Sequence, residues 1–111
     1  MDELREDIIT IFTPVYNRAG LLPRLFDSLK RQTCQKFEWI AIDDGSTDNT
    51  LEVLQELRTR GGAEFSVTVI HTENGGKHRA INRAVREAHG EYFTCLDSDD
   101  YLIPQAVEHY Y

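Results

Sequence analysis

The chain has 111 residues, a length that suits one domain with a single hydrophobic core. With 41% hydrophobic and 28% charged residues, its composition is that of an ordinary globular protein and not of a disordered one. The net charge of −7 argues against a nucleic-acid-binding surface, so we expect no nucleic-acid partner. We also recognise no signal peptide, lipidation motif or apolar run long enough to span a bilayer.

Apolar stretches alternate with segments of helical periodicity along the whole chain. Four stretches predict buried strands: Ile8–Thr13, Phe37–Ile42, Phe65–Ile70 and Glu91–Leu96. Apolar residues at helical spacing predict helices over residues 21–29, 51–57 and 80–88. We expect Asn49 and Glu52 to form a capping box, and Gly61-Gly62 and Gly90 to end the second and third helices. The alternation predicts an α/β fold, a Rossmann-like open parallel sheet with helices on both faces in three layers.

Polar loops follow each predicted strand: Pro14–Gly20, Asp43–Asp48, His71–Lys77 and Asp97–Asp100. Because all strands are expected to be parallel, these loops should meet along one edge of the sheet, where α/β proteins bind ligands. The sequence therefore predicts one composite site.

Three carboxylates crowd the end of the fourth predicted strand: Asp97, Asp99 and Asp100. Like charges so close repel, and a divalent cation relieves that repulsion. Mg²⁺ or Mn²⁺ takes carboxylate oxygens and fills its remaining positions with water and substrate phosphates. A solvated acidic loop is the alternative, but the position at a strand end favours a metal site.

The other loops carry weaker signals. Tyr16 offers a flat ring for a base, although a surface turn tyrosine would look the same. Asp43 and Asp44 could accept hydrogen bonds from a base or from ribose hydroxyls, or could merely shape a turn. Residues 74–79 could hold a phosphate at a helix start. Neither a Walker loop nor a GxGxxG motif is present, which disfavours P-loop NTPases and dinucleotide-binding dehydrogenases.

Two cysteines, Cys34 and Cys95, lack metal-ligand spacing and lie in apolar contexts. We expect buried free thiols in a reducing compartment.

Taken together, these motifs resemble the family 2 glycosyltransferases, which are inverting enzymes of the GT-A fold. The resemblance rests, in order and at matching spacing, on Thr13–Arg18, Asp43–Asp48, Asn74–Lys77, Gly90–Tyr92 and Leu96–Asp100. It implies that Pro14, Tyr16 and Asp44, with Asp43 beside them, hold the nucleotide base and ribose. It further implies that Asp97, Asp99 and Asp100 bind Mn²⁺ or Mg²⁺ on the sugar-nucleotide diphosphate, and that Lys77 lies near that diphosphate. The remaining expected substrate-binding residues are Asn17, Arg18, Asn74, Gly76 and Ser98.

Family members continue past the acidic motif into an acceptor-binding half that carries the catalytic base. We therefore expect residues 1–111 to be the donor-binding part of a longer protein, with the general base beyond residue 111. The implied partners are a nucleotide-sugar donor, with UDP-sugar preferred, and a saccharide or lipid-linked acceptor. The implied location is the cytoplasm, or the inner face of the membrane in the full-length protein.

Two alternatives stay open. A sugar-phosphate nucleotidyltransferase would also use a parallel sheet and a metal, but would need a Gly-rich basic loop after the first strand. The loop Thr13–Gly20 has only Arg18 and one late glycine, which disfavours this alternative. A non-catalytic nucleotide-sugar-binding module would share the binding residues and would differ only in lacking turnover.

Overall fold

The computed structural model describes the backbone of residues 5–73, 76–88 and 90–96, and the side chains of residues 9–73, 79–88 and 93–96. Strands and helices alternate through these ranges: β1 (Arg5–Val15), α1 (Leu22–Lys30), β2 (Phe37–Asp44), α2 (Thr50–Arg60), β3 (Ser66–Thr72), α3 (Gly76–Glu87) and β4 (Gly90–Cys95). The predicted α/β class and the order of its elements are confirmed.

The four strands form a parallel sheet in the order β3-β2-β1-β4. The chain thus builds outward from β1 through β2 to β3, then returns to pair β4 with the other side of β1. The carboxyl ends of β1 and β4 consequently form the topological switch point, the place where open α/β sheets bind ligands. The backbone N–H of Leu96, just past β4, donates to the carbonyl oxygen of Phe12 at 2.8 Å.

Helices cover both faces of the sheet, as predicted. The larger core lies under α1 and α2, and the smaller one under α3 includes Phe12, Ile40 and Ile42. Every residue of β2 is buried, because a central strand in a three-layer fold has no solvent face. This explains why the sequence of β2 is almost continuously apolar.

A buried hydrogen bond joins the side chains of β1 and β2. The indole N–H of Trp39 donates to Oγ1 of Thr13 at 2.9 Å, and both side chains are inaccessible to solvent. The bond satisfies two polar groups that would otherwise cost free energy on burial. It also connects the two strands that lead into the polar loops.

β2 and β3 run further at their carboxyl ends than the apolar pattern predicts. β2 includes Asp43 and Asp44, and β3 includes His71 and Thr72. Asp43 pairs in register with His71, and Asp44 with Thr72. Polar residues can occupy the last positions of a ladder because backbone pairing does not depend on side-chain hydrophobicity.

The helix ends confirm one prediction and overturn two. α2 ends at Arg60, with Gly61 as its cap and Gly62 at a φ of 71°, as expected from the glycine pair. The capping box is wrong, since Asn49 makes no side-chain capping bond. Gly90 opens β4 instead of capping α3, which ends at Glu87.

Neither Cys34 nor Cys95 forms a disulfide in the described part of the chain, as predicted, but their expected burial is wrong. Cys34 is half-buried and Cys95 is exposed. Cys95 lies on β4, an edge strand of the described sheet, whereas α3 packs over β1 and β2. A residue on this edge strand therefore need not be buried even in an apolar sequence context.

Candidate functional site at the carboxyl edge of the sheet

Asp43 is a buried carboxylate with both oxygens bonded to protein groups. Its Oδ1 accepts the backbone N–H of Ser46 at 3.2 Å, and its Oδ2 lies 2.8 Å from Nδ1 of His71. The residue is 0% exposed. These contacts compensate the burial of a charge that would be costly alone, and they fold the β2–α2 loop over the end of β2.

Asp44 follows on the opposite face of β2, the face covered by α3. It retains 9% exposure, and Oγ1 of Thr72 donates to its Oδ1 over a long 3.4 Å. Of the two predicted aspartates, Asp44 is therefore the one that keeps some exposure to solvent.

Asn17 joins the β1–α1 loop to the β2–α2 loop. Its Oδ1 accepts the backbone N–H groups of Thr47 at 2.8 Å and Asp48 at 3.3 Å, and its Nδ2 donates to Oγ1 of Thr47 at 3.2 Å. The backbone N–H of Asn17 donates to Oγ of Ser46 at 2.9 Å. Asn17 has a φ of 50°, a left-handed conformation that asparagine tolerates better than most residues.

The start of α2 forms a second connection between the same loops. Oδ1 of Asp48 accepts the backbone N–H of Thr50 at 2.9 Å and also the hydroxyl of Thr50. Oγ1 of Thr50 in turn accepts the backbone N–H of Arg18 at 3.0 Å. The hydrogen bond from the Thr50 hydroxyl, together with backbone N–H donors, lowers the pKa of Asp48 below its ordinary value of 3.8. Asp48 thus takes the helix-start role predicted for Asn49.

The β1–α1 loop presents an aromatic ring and a cation. Tyr16 is 42% exposed and Pro14, at the end of β1, is half-buried. The guanidinium of Arg18 donates to the carbonyl oxygens of Tyr16 at 3.3 Å and Asn17 at 3.1 Å, so it curls over its own loop. The ring of Tyr16 is accessible, as a platform for a base must be.

The structure describes only some of the other predicted site residues. Asn74, Asp97, Ser98, Asp99 and Asp100 lie outside the described residues. The backbone of Gly76 and Lys77 lies in the first turn of α3, and the Lys77 side chain is outside the described residues. Among residues 9–73, 79–88 and 93–96, no group of three His, Cys, Asp or Glu side chains is placed to hold a metal.

Sequence reasoning missed three residues of this edge as individuals: Ser46, Thr50 and His71. Each acts through contacts with another loop or strand, 28 or more residues away in sequence. A sequence signal existed for Ser46 and Thr50, because serine and threonine beside aspartate are typical of turns. No such signal existed for His71, because its partner depends on the register of β3 against β2.

Comparison with known proteins agrees with this architecture. Residues 10–111 match the family described as "Glycosyl transferase family 2". The chain is 44% identical over 104 residues to a hyaluronan synthase of Pasteurella multocida, covering 94% of this chain and 10% of that protein. It is 39% identical over 106 residues to a poly(ribitol-phosphate) beta-glucosyltransferase of Bacillus spizizenii, covering 93% and 16%.

Solved structures show the same fold. The structure of S. aureus TarS 1-349 in complex with UDP superposes with a TM-score of 0.77 at 31% identity, over 92% of this chain and 30% of that one. A mannosyltransferase from Pyrobaculum calidifontis, solved with GDP-Man and Mn²⁺, gives a TM-score of 0.80 at 29% identity, over 87% and 29%.

The sheet order, the loop network and these likenesses define a class: the fold is that of GT-A glycosyltransferases. The chain belongs to glycosyl transferase family 2. It spans between about a tenth and a third of the length of the curated relatives it matches.

No helix in the described part of the chain is both long enough and apolar enough to cross a membrane.

Proposed function

We propose that the chain forms the donor-binding part of an inverting glycosyltransferase. The donor is a nucleotide-diphosphate sugar, with UDP-sugar preferred, and the acceptor is a saccharide or a lipid-linked acceptor. One observation carries the proposal: the two loops after β1 and β2 are hydrogen-bonded to each other at the sheet's carboxyl edge, with Tyr16 and Asp44 beside the switch point. TarS 1-349, a structure of similar fold, was solved in complex with UDP, which supports a nucleotide ligand.

The nucleoside is assigned to the loops after β1 and β2. The exposed ring of Tyr16 stacks on the base, with Pro14 at its edge. Asp44 accepts a hydrogen bond from the base or from a ribose hydroxyl, because an ionised carboxylate is purely an acceptor. Asp43 is fully buried with both oxygens engaged, so we revise its expected role from direct contact to support of the loop.

We revise the roles of Asn17 and Arg18 in the same way. The side-chain amide of Asn17 is used in joining the two loops. The guanidinium of Arg18 bonds to two carbonyl oxygens of its own loop, and its backbone N–H to Thr50. Both residues shape the surface on which Tyr16 is presented.

The diphosphate is assigned to the end of β4 and the start of α3. Asp97, Asp99 and Asp100 follow directly on Leu96, whose backbone is bonded to β1. Their carboxylates are hard oxygen donors that fit Mn²⁺ or Mg²⁺, and the mannosyltransferase of similar fold was solved with Mn²⁺. A bound metal would take up negative charge on the departing diphosphate. Asn74, Gly76, Lys77 and Ser98 complete the proposed phosphate-binding set.

Sugar transfer also requires a base and a surface for the acceptor. We assign both to a part of the protein outside residues 1–111, since the relatives are much longer than this chain. We place the reaction in the cytoplasm, or at the inner face of the membrane in the full-length protein, in keeping with two cysteines that form no disulfide among the described residues.

The test is a calorimetric titration of the chain with UDP, GDP and dTDP, each with and without Mn²⁺. We expect binding of UDP that strengthens at least about tenfold when Mn²⁺ is present. No binding of any of the three nucleotides would contradict the proposal. Sugar transfer by a longer protein containing this chain would separate the enzyme from a non-catalytic binding module.

A further inference from the structure

We infer that His71 is a positioning residue of the donor site, acting through Asp43 on the loop that supports Tyr16. The expected effect of His71 on nucleotide binding rests on the proposed function. The expected effect of His71 on the order of the loops can be tested without any ligand.

The first step is the state of the histidine ring. An ionised Asp43 carboxylate can only accept hydrogen bonds, so Nδ1 of His71, 2.8 Å from Oδ2, must carry the proton. The His71 side chain is 51% exposed, whereas that of Asp43 is 1% exposed. The histidine therefore brings a donor to a buried charge while remaining largely in solvent itself.

The second step is what Asp43 holds. Its other oxygen accepts the N–H of Ser46, and Oγ of Ser46 accepts the N–H of Asn17. Asn17 directly follows Tyr16, the proposed base platform, and its left-handed backbone needs such external support. A continuous series of hydrogen bonds thus runs from His71 on β3 to the loop after β1.

The third step is the effect of removing the donor. Without Nδ1–H, the buried Asp43 carboxylate would keep only the Ser46 N–H among the contacts described above. A buried carboxylate that loses one of its two described partners is under-solvated, so we expect Asp43 to shift toward water, which displaces Ser46 and loosens Asn17. The neighbouring Asp44 on β2 would shift with it.

Two variants and one control test this inference. His71→Leu removes the donor, whereas His71→Asn keeps an N–H group near the position of Nδ1. Val67→Ala, on the same strand, trims the partly buried packing against the core without touching the loops. We expect amide exchange at Ser46 and Asn17 to accelerate in His71→Leu, and to stay close to that of the unmodified chain in His71→Asn and Val67→Ala.

A nitrogen-detected NMR spectrum of the unmodified chain should show the His71 proton on Nδ1. The Kd for UDP with Mn²⁺ should rise about tenfold in His71→Leu and stay within about threefold in His71→Asn. Unchanged exchange at Ser46 and Asn17 in His71→Leu would overturn the inference, and so would a His71 proton on Nε2 alone. If Val67→Ala lost as much UDP affinity as His71→Leu, the inference would also be overturned, because the loss would then follow from lower stability of the fold.

The two proposals fail in different ways. If the unmodified chain binds no nucleotide, the proposed function and the donor-site consequence both fall, and the exchange data alone decide whether His71 positions the loops. If the unmodified chain binds UDP and His71→Leu binds it equally well, the proposed function stands and the role of His71 in the donor site is overturned.

Discussion

Oδ1 of Asn17 accepts the backbone N–H of Thr47 at 2.8 Å, across 30 residues of sequence. This contact ties the loop after β1 to the loop after β2 at the carboxyl edge of the sheet. Because the two loops are bonded to each other as well as to their strands, the surface between them is ordered before any ligand arrives. Such preorganisation lowers the entropy cost of binding.

The first prediction concerns Asn17 itself. Asn17→Ala loses the amide and places a less tolerant residue at a φ of 50°, so we expect a loss of about 1–3 kcal/mol in the free energy of unfolding. Asn17→Gly loses the amide but accepts the backbone conformation, and should be less destabilised than Asn17→Ala. Urea unfolding of the three proteins measures the difference. Equal stability of Asn17→Ala and the unmodified chain would contradict the prediction.

The second prediction is a dependence of stability on pH. The pKa of Asp48 is lowered in the folded chain, chiefly by the Thr50 hydroxyl, so folding favours the ionised carboxylate. Its stabilising contribution is fully present above the ordinary value of 3.8 and is lost as the pH falls through the lowered folded pKa. Asp48→Ala should therefore be less stable than the unmodified chain at neutral pH, and the difference should shrink below about pH 3.8.

Asn49→Ala is the matched control for Asp48, since Asn49 neighbours it and makes no capping bond. Its difference from the unmodified chain should not change with pH. Urea midpoints at neutral and acidic pH measure both variants. A difference for Asp48→Ala that stays constant down to the acid-unfolding range would refute the role of the ionised carboxylate.

The third prediction concerns the end of α2. A Cβ added at Gly61 would collide with the ring of Phe26 and the carbonyl oxygen of Leu57. Gly61→Ala should therefore lower the free energy of unfolding by about 1–3 kcal/mol through overpacking. Gly20→Ala is the control, because nothing lies within 4 Å of a Cβ at Gly20. Thermal unfolding compares the two, and a Gly61→Ala variant as stable as Gly20→Ala would contradict the packing.

Much of the fold could be predicted from the sequence because the strands are continuous apolar runs and the helices are amphipathic. Phe37–Ile42 reads as a buried strand since both its faces lie in the core. The pattern could not show that the strand continues through Asp44, because a carboxylate can end a ladder as well as begin a loop. It also could not show that Cys95 lies on an edge strand, which depends on the order of strands in the sheet.

The sequence could predict where the candidate site lies, but it could not predict the contacts within it. Parallel strands bring the loops to one edge whatever their side chains, so the convergence follows from topology alone. The different environments of Asp43 and Asp44 could not be predicted, because they depend on the register of β3 against β2 and on partners such as His71. Only the structure shows that the Asn17 side chain forms hydrogen bonds between the two loops.

The fourth prediction is a stabilisation by ligand. Mn²⁺ together with UDP should raise the melting temperature of the chain more than either does alone, because each supplies ligands for the other in the proposed site. Differential scanning fluorimetry under the four conditions measures this. A melting temperature that is the same in all of them would count against a ligand site.

The most direct test of the donor site is the affinity for UDP of Asp99→Asn, measured by calorimetry with and without Mn²⁺. Asparagine keeps the shape of aspartate and removes its charge, so the Kd with Mn²⁺ should rise more than about tenfold, or about 1.4 kcal/mol. The gain in affinity that Mn²⁺ confers on the unmodified chain should be lost. An unchanged Kd in both Asp99→Asn and Asp97→Asn would contradict the account.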